Sequence, residues 1–219
     1  MKKILCLLII GMILCSSCQE EEREVIDPTI NNTIPKDSQL AKLMRNVVTH
    51  DGSYDDVIDG GNCFSINFPY MIIVNDEEII VDNIGDYQNL SVNDMIEIQY
   101  PITITLFDHS EKTVIDGNEL NTYVASCRKE DDDIECVDFV YPIGLSIFNA
   151  QSNRFRVVDI GHDSQMFTFM STLGDNSFVS INYPIDLVAH NGQRLNAQHN
   201  SGLLETILDT AFTCEENDN

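Results

Sequence analysis

The sequence is poor in basic residues and contains no tryptophan. Among its 219 residues, Lys and Arg number 12 and Asp and Glu number 36, so the formal net charge at pH 7 is −24. A surface this negative repels phosphate backbones, which excludes nucleic acid as a partner. The absence of tryptophan removes a large aromatic side chain for stacking on sugars, which weakens a carbohydrate-binding interpretation.

The motifs of several common enzyme classes are missing as well. The chain has no Gly-x-Ser-x-Gly nucleophile elbow, no His-Glu-x-x-His zinc helix and no glycine-rich phosphate loop. His109 stands between Asp108 and Ser110, but neighbours on a hairpin turn point in different directions and cannot form a proton relay. The scattered histidines are interpreted as exposed turn residues: His50, His109, His162, His190 and His199. We therefore expect no catalytic residue, no cofactor and no metal ligand.

The N-terminus has the pattern of a secretory signal peptide over residues 1–17. Lys2 and Lys3 precede an apolar run at residues 4–14, which is too short to span a membrane. The next residue is Cys18, and the arrangement resembles the lipobox of bacterial lipoproteins, except that Cys15 replaces the usual leucine. This resemblance implies that Cys18 carries palmitate-type acyl chains. Removal of the leader removes Lys2 and Lys3 and changes the net charge from −24 to −26. Such a surface repels anionic lipid, so we expect the acyl chains, and not the protein surface, to attach the protein to the membrane.

Residues 18–36 are predicted to form an acidic, flexible tether. The segment begins Cys18-Gln-Glu-Glu-Glu-Arg-Glu, and Pro28 and Pro35 follow. Like charges keep such a segment extended and solvated. It also resembles the short acidic export signal that follows the acylated cysteine in lipoproteins of Bacteroidota. That resemblance implies display on the outer face of the outer membrane, with a periplasm-facing anchor as the alternative.

One strand pattern occurs four times in the rest of the chain. The copies are SINFPYMIIV, EIQYPITITL, DFVYPIGLSI and SINYPIDLVA, at residues 65–74, 97–106, 138–147 and 180–189. Each places apolar residues at period two around an aromatic-proline pair, which predicts a strand with one buried face. The aromatic positions Phe68, Tyr100, Tyr141 and Tyr183 are therefore predicted to be core residues.

A turn, a second apolar strand and a helical stretch follow each copy. The second strands are predicted at residues 79–81, 113–115, 155–158 and 194–197. Helical spacing is clear at residues 118–126, 164–173 and 203–212 and weak at residues 85–90. This strand-turn-strand-helix unit of roughly 30 to 40 residues marks a repeat architecture.

The pattern of residues 37–62, which precede the repeats, predicts a helix followed by an acidic loop. Leu40, Met44 and Val47 share one helix face, which we expect to pack on the first repeats. The loop could hold calcium through its carboxylates, but it lacks the spacing of known calcium loops and is interpreted as solvated. Those carboxylates are Asp51, Asp55, Asp56 and Asp59. Residues 128–135 are likewise interpreted as a solvated connector.

The remaining cysteines bracket pairs of repeats. Cys63 and Cys136 open the first and third units, and Cys127 and Cys214 end the helices of the second and fourth. Four cysteines allow three pairings. We favour Cys63 with Cys127 and Cys136 with Cys214, each worth about 4 kcal/mol, with Cys127 to Cys136 as the rival. The predicted fold is α+β, an antiparallel tandem repeat of four units in two disulfide-stapled modules at residues 63–133 and 134–214, with an acidic tail at residues 215–219.

Taken together, these motifs resemble an uncharacterised family of outer-membrane lipoproteins of Bacteroidota with tandem Tyr-Pro repeats. The resemblance covers the mature chain from the helix at residues 37–48 through the Tyr-Pro strands to the cysteine-ended helices. It implies an outer-membrane lipoprotein and offers no catalytic residue to transfer, so it leaves the activity open. From the missing catalytic motifs we expect a lipid-anchored, surface-exposed, non-enzymatic binding or structural protein whose partner is an envelope or extracellular protein or a glycan. The alternative is a cell-surface hydrolase of glycan or peptide, with a site assembled across the modules.

Overall fold

The computed structural model describes residues 32–91, 93–127 and 133–213. The α-helices are α1 (Gln39–Val47), α2 (Asp56–Asp59), α3 (Gly117–Ser126), α4 (Asp163–Ser171) and α5 (Asn200–Thr213). Short 3₁₀ helices occur at Ser53–Asp55 and Ile84–Asn89. The strands of the first half are β2 (Phe64–Ile66), β3 (Tyr70–Val74), β4 (Glu77–Val81), β5 (Ile96–Gln99), β6 (Ile102–Leu106) and β7 (Glu111–Val114). The other strands are β1 (Thr33–Ile34), β8 (Val137–Phe139), β9 (Ile143–Asn149), β10 (Arg154–Ile160), β11 (Ser177–Ile181), β12 (Ile185–Ala189) and β13 (Arg194–Ala197).

These strands form several small antiparallel sheets. The strand orders are β2-β6-β7, β4-β3-β5, β13-β12-β8 and β1-β11-β9-β10. The predicted mixture of helices and antiparallel strands is confirmed, and the helices lie close to their predicted bounds. The weakest prediction, at residues 85–90, is a 3₁₀ helix capped by Asn83, whose Oδ1 accepts from the Gly85 amide at 2.9 Å. None of the helices in the described ranges is long and apolar enough to cross a bilayer.

Each predicted Tyr-Pro or Phe-Pro strand is divided at its proline. Proline has no amide hydrogen for the ladder, so β2 and β3 are separate strands, as are β5 and β6. All four aromatic-proline peptide bonds are cis. The prediction of one continuous strand is wrong at this point, although the register continues across the break. Phe64 pairs with Leu106 and Val74 with Ile96, which places Pro69 opposite Pro101.

The second half of the chain has the corresponding arrangement. Its first Tyr-Pro segment forms β8 and β9, and its second forms β11 and β12. Val137 pairs with Ala189, and Leu145 pairs with Ile181 in the same register, so Pro142 lies opposite Pro184. In both halves a hairpin strand then extends the ladder on the outer side.

Helix α1 packs on the second half, and the expectation that it packs on the first is wrong. Ser38 caps the helix by accepting from the Ala41 amide at 3.2 Å. The buried face of α1 joins the core formed by β8, β9, β11, β12, α4 and α5. The reason lies upstream, because β1 pairs with β11 and brings the chain to this core before α1 begins. A separate core lies between the strands of the first half and α3.

A disulfide joins Cys63 to Cys127 across the first half, with a Cα–Cα distance of 5.5 Å. This pairing was predicted, and it rules out the rival bond from Cys127 to Cys136. Cys136 is buried and is itself disulfide-bonded. Its predicted partner Cys214 lies outside the described residues, as does the predicted acylation site Cys18.

Candidate functional site

A cavity of about 200 Å³ collects histidine and carboxylate side chains from distant parts of the sequence. The end of α1, the turn before β7, residues 133–135, β8 and the start of α4 contribute to its wall. We call it the acidic cavity and define it by its polar lining: Thr49, His50, Asp51, His109, Asp133, Glu135, Asp138 and Asp163. Both halves of the chain contribute to it.

Three carboxylates form the closest group in this cavity. One oxygen each from Asp51, Asp133 and Glu135 lies within 4.8 Å of the others, and Asp133 is buried. Ser53 lies between two of them, with its Oγ 2.9 Å from Asp51 Oδ1 and 2.9 Å from Glu135 Oε1. A hydroxyl carries one hydrogen, so it donates to one carboxylate at a time. Carboxylate oxygens at such spacing are the donors that hard divalent cations prefer.

The loop prediction identified only part of this group. Asp51 was one of the four candidate calcium ligands in the acidic loop. Asp133 and Glu135 come from the segment interpreted as a solvated connector, where Asp133 is in fact buried. No local spacing links residue 51 to residues 133–135, so the sequence contained no signal for this combination.

Two histidines complete the wall, and both are half-buried, so the predicted exposure of their side chains is wrong. The Nε2 atom of His109 donates to the Val48 carbonyl at 2.7 Å, because a carbonyl can only accept. The Nε2 atom of His50 lies 2.7 Å from Ser65 Oγ, and the two imidazole rings are 5.7 Å apart. Burial, followed by the nearby His109, lowers the pKa of His50 to about 4. His50 is therefore a neutral imidazole at neutral pH.

The far side of the cavity is acidic and is connected to one of the repeated aromatic positions. The Tyr141 hydroxyl donates to Asp163 Oδ1 at 2.7 Å. Burial raises the pKa of Asp138, and the charge of Asp163 raises it further. Tyr141 is half-buried, so its position depends on this hydrogen bond as well as on packing.

Two further carboxylates lie beneath the loop after α1, outside this cavity's lining. Asp55 Oδ2 accepts from the Ile66 amide at 2.7 Å, and Asp59 Oδ1 accepts from the Gly61 amide at 2.9 Å. The other oxygens, Asp55 Oδ1 and Asp59 Oδ2, are buried and make no hydrogen bond within the described ranges. Burial raises the pKa of both carboxyl groups. The charge of Asp56 raises the pKa of Asp55 further, and the charge of Asp55 raises that of Asp59.

The outer face of the β1-β11-β9-β10 sheet carries an exposed aromatic row. Phe155 of β10 and Phe178 of β11 both pair with Phe148 of β9, so the three side chains stand side by side across the sheet. Their exposed fractions are 66%, 51% and 38% for Phe155, Phe178 and Phe148. Val157, next on the same face of β10, is also exposed. We call Phe148, Phe155 and Phe178 the phenylalanine row.

Sequence reasoning missed this row because it placed most aromatics in the core phase of the strands. Phe148 follows the buried Leu145 and Ile147 and is out of phase with them, which is the signal that could have identified it. Phe155 lies in a segment predicted to be an apolar hairpin strand. That strand, β10, is at the edge of its sheet and its outer face is open, so Phe155 is exposed.

Comparison with family models, with curated proteins and with solved structures found no match to this chain.

Proposed function

We propose that the mature chain is a lipid-anchored, non-enzymatic binding or structural protein displayed at the surface of the outer membrane. The anchor is supported by the leader and by Cys18 at its predicted cleavage point. Display is supported by the acidic segment after Cys18. The Cys63–Cys127 disulfide agrees with an oxidising compartment outside the cytoplasm.

We further propose that the folded part consists of four repeated units in two disulfide-stapled modules. Support comes from the register, because both halves place two prolines opposite each other between two short ladders. The tyrosine hydroxyls provide a second similarity. Tyr141 donates to Asp163 and Tyr183 donates to Asn200 at 2.8 Å, and each acceptor is the first residue of the helix in its own unit.

The phenylalanine row is the observation on which the binding role depends. Large apolar side chains are rarely adjacent to one another on the surface of a soluble protein, and exposed groups of this kind mark interaction sites. Here three phenylalanines adjoin across neighbouring strands of a protein that is otherwise strongly acidic. Packing within the chain does not require their exposure, so contact with another molecule accounts for it best.

Photocrosslinking in cells tests this role directly. A benzoylphenylalanine in place of Phe155 should form adducts with the bound molecule, whether protein, glycan or lipid. The matched control places the same probe at Phe212, which is 92% exposed and lies near the end of α5, outside the row. Equal labelling from the two positions, or none from either, would contradict a binding role for the row.

The acidic cavity supports the alternative, a cell-surface hydrolase with a site assembled from both halves. It brings a neutral imidazole next to carboxylates whose oxygens lie within 4.8 Å of one another, which are residue types that general acid-base catalysis uses. Purified protein would be screened against polysaccharide and peptide libraries. Turnover that is lost in His50→Gln or Asp51→Asn with an unchanged melting temperature would favour the hydrolase over the binding protein.

A further inference from the structure

The sheet that carries the phenylalanine row is nearly free of negative charge. Residues 139–158 contain no Asp or Glu, although the whole chain has 36 acids among 219 residues. Asp159 is the single acidic residue within the strands β1, β11, β9 and β10. The corresponding strands of the first half, β3, β4 and β5, carry Glu77, Glu78 and Glu97. Repulsion of an anionic partner is therefore weaker at this sheet than at the β4-β3-β5 sheet.

Two arginines stand beside the row on the same edge strand. Arg154 and Arg156 flank Phe155 in β10 and both are exposed, but strand alternation places them on the opposite face of this edge strand, since Arg156 pairs with the buried Ile147. In the described ranges neither forms an ion pair or a side-chain hydrogen bond. The other base near this end of the sheet, Lys36, is already paired with Asp175. Because β10 is an edge strand, the two guanidinium groups remain available to an external anion at the edge of the sheet, where long arginine side chains can reach round to the side of the phenyl rings.

The same sheet receives the chain from the proposed anchor. Its edge strand β1 begins at Thr33, and residues 19–31 separate Cys18 from the first described residue, Asn32. Thirteen residues span at most about 45 Å when fully extended. If Cys18 is acylated, this sheet is held within that distance of the bilayer surface.

We infer that the phenylalanine row, together with Arg154 and Arg156, docks on the anionic headgroup layer of the membrane that holds the acyl chains of Cys18. This inference rests on the lipid anchor of the proposed function. The phenyl rings enter the boundary between headgroups and acyl chains, and the guanidinium groups bind lipid phosphates in bidentate fashion. The tether raises the local concentration of the face at the bilayer, so a small face suffices.

The composition of the face favours a bilayer over a sugar or a second copy. Phenylalanine lacks the hydroxyl or indole N–H through which Tyr and Trp hydrogen-bond to sugars. A second copy would bring another strongly negative protein against the first, which like-charge repulsion opposes. The proposed docking face would be a local exception to the repulsion of anionic lipid that the net charge leads us to expect.

Tryptophan fluorescence tests the docking in the full, acylated protein. The chain has no tryptophan, so Phe155→Trp introduces a single emitter within the row, and Phe212→Trp introduces one at an exposed position outside it. Both variants are reconstituted in phosphatidylcholine and phosphatidylglycerol vesicles that contain lipids brominated on their acyl chains. We expect the quenching of Phe155→Trp to be at least about threefold stronger than that of Phe212→Trp, since only position 155 reaches the boundary between headgroups and acyl chains.

Charge and partner are tested with the same emitter. Adding Arg154→Gln and Arg156→Gln to Phe155→Trp should reduce quenching on anionic vesicles to its level on pure phosphatidylcholine. Equal quenching of the two emitters in protein shown by mass spectrometry to be acylated overturns the docking and leaves the anchor intact, whereas an unmodified Cys18 overturns the anchor itself. Two results without vesicles would also overturn the docking. A shift of the emission with protein concentration would favour a second copy as the partner, and a shift on addition of polysaccharide would favour a glycan.

Discussion

At the residue scale, the buried carboxyl groups of Asp55 and Asp59 couple folding to protonation. Each keeps one oxygen on a backbone amide and one oxygen away from water. An acid with a raised pKa in the folded state binds a proton on folding. Its contribution to the free energy of unfolding is therefore greatest below the unfolded pKa of about 4 and decreases as the pH rises towards the folded value.

Substitution of one of these acids should flatten the dependence of stability on pH. Asp59→Asn keeps the oxygen that accepts from Gly61 and removes the ionisable group. We expect its melting temperature to exceed that of the wild type at about pH 8 and to fall less between about pH 5 and pH 8. Asp82→Asn removes one charge from an exposed position and serves as the control for net charge. Thermal melts in which both variants change the slope equally would refute a special role for Asp59.

At the element scale, the loop after α1 is fixed by its close approach to β2. Gly52 and Gly61 both lie against Phe64, the first residue of that strand. A Cβ atom at Gly52 would overlap the backbone nitrogen and carbonyl of Phe64, which cannot move without disturbing the pairing of Phe64 with Leu106. This contact also holds His50 and Asp51 at the wall of the acidic cavity.

Gly52→Ala is therefore expected to destabilise the protein by about 1–3 kcal/mol, as overpacking against a fixed backbone does. Gly174→Ala is the matched control, because its Cβ would lie 3.7 Å from Ser177 Oγ in ordinary contact. That control should be neutral or slightly stabilising, by less than about 1 kcal/mol. Urea unfolding curves with equal midpoints for the two variants would show that the loop is free to move away from β2.

How far the sequence could predict these elements depended on whether the signal was local. The strand phase at Ile102 and Ile104 and the helix around Leu203 and Ile207 follow from spacing within a few residues. The side on which α1 packs could not be predicted, because it follows from the pairing of Ile34 with Val179. The acidic cavity was missed for the same reason, since its residues come together only after both halves have folded.

At the scale of the whole molecule, the net charge and the proposed anchor act together. A chain with a net charge of −24 keeps its copies apart, and a lipid on Cys18 would confine them to one surface. Its nearly acid-free sheet would then provide a local exception through which a single face is oriented.

The anchor gives the most direct prediction at this scale. We expect mass spectrometry of the mature protein to find Cys18 as an acylated N-terminal residue, because the predicted leader ends immediately before it. Cys18→Ala should move the protein from the membrane fraction to the soluble fraction. Since one face with two arginines binds weakly without acyl chains, retention of this variant on membranes at raised salt would contradict the anchor.

The Cys63–Cys127 disulfide has a consequence beyond stability. The chain contains four segments of similar sequence, each with an aromatic-proline pair and the same alternation, so the strands of any one segment present an acceptable edge to those of another. The disulfide ties the start of the first such segment to the end of the helix that follows the second. It therefore restricts which of these similar strands become neighbours and opposes the exchange of strands between molecules. The disulfide thus contributes to the selection of which aromatic-proline segments pair with each other.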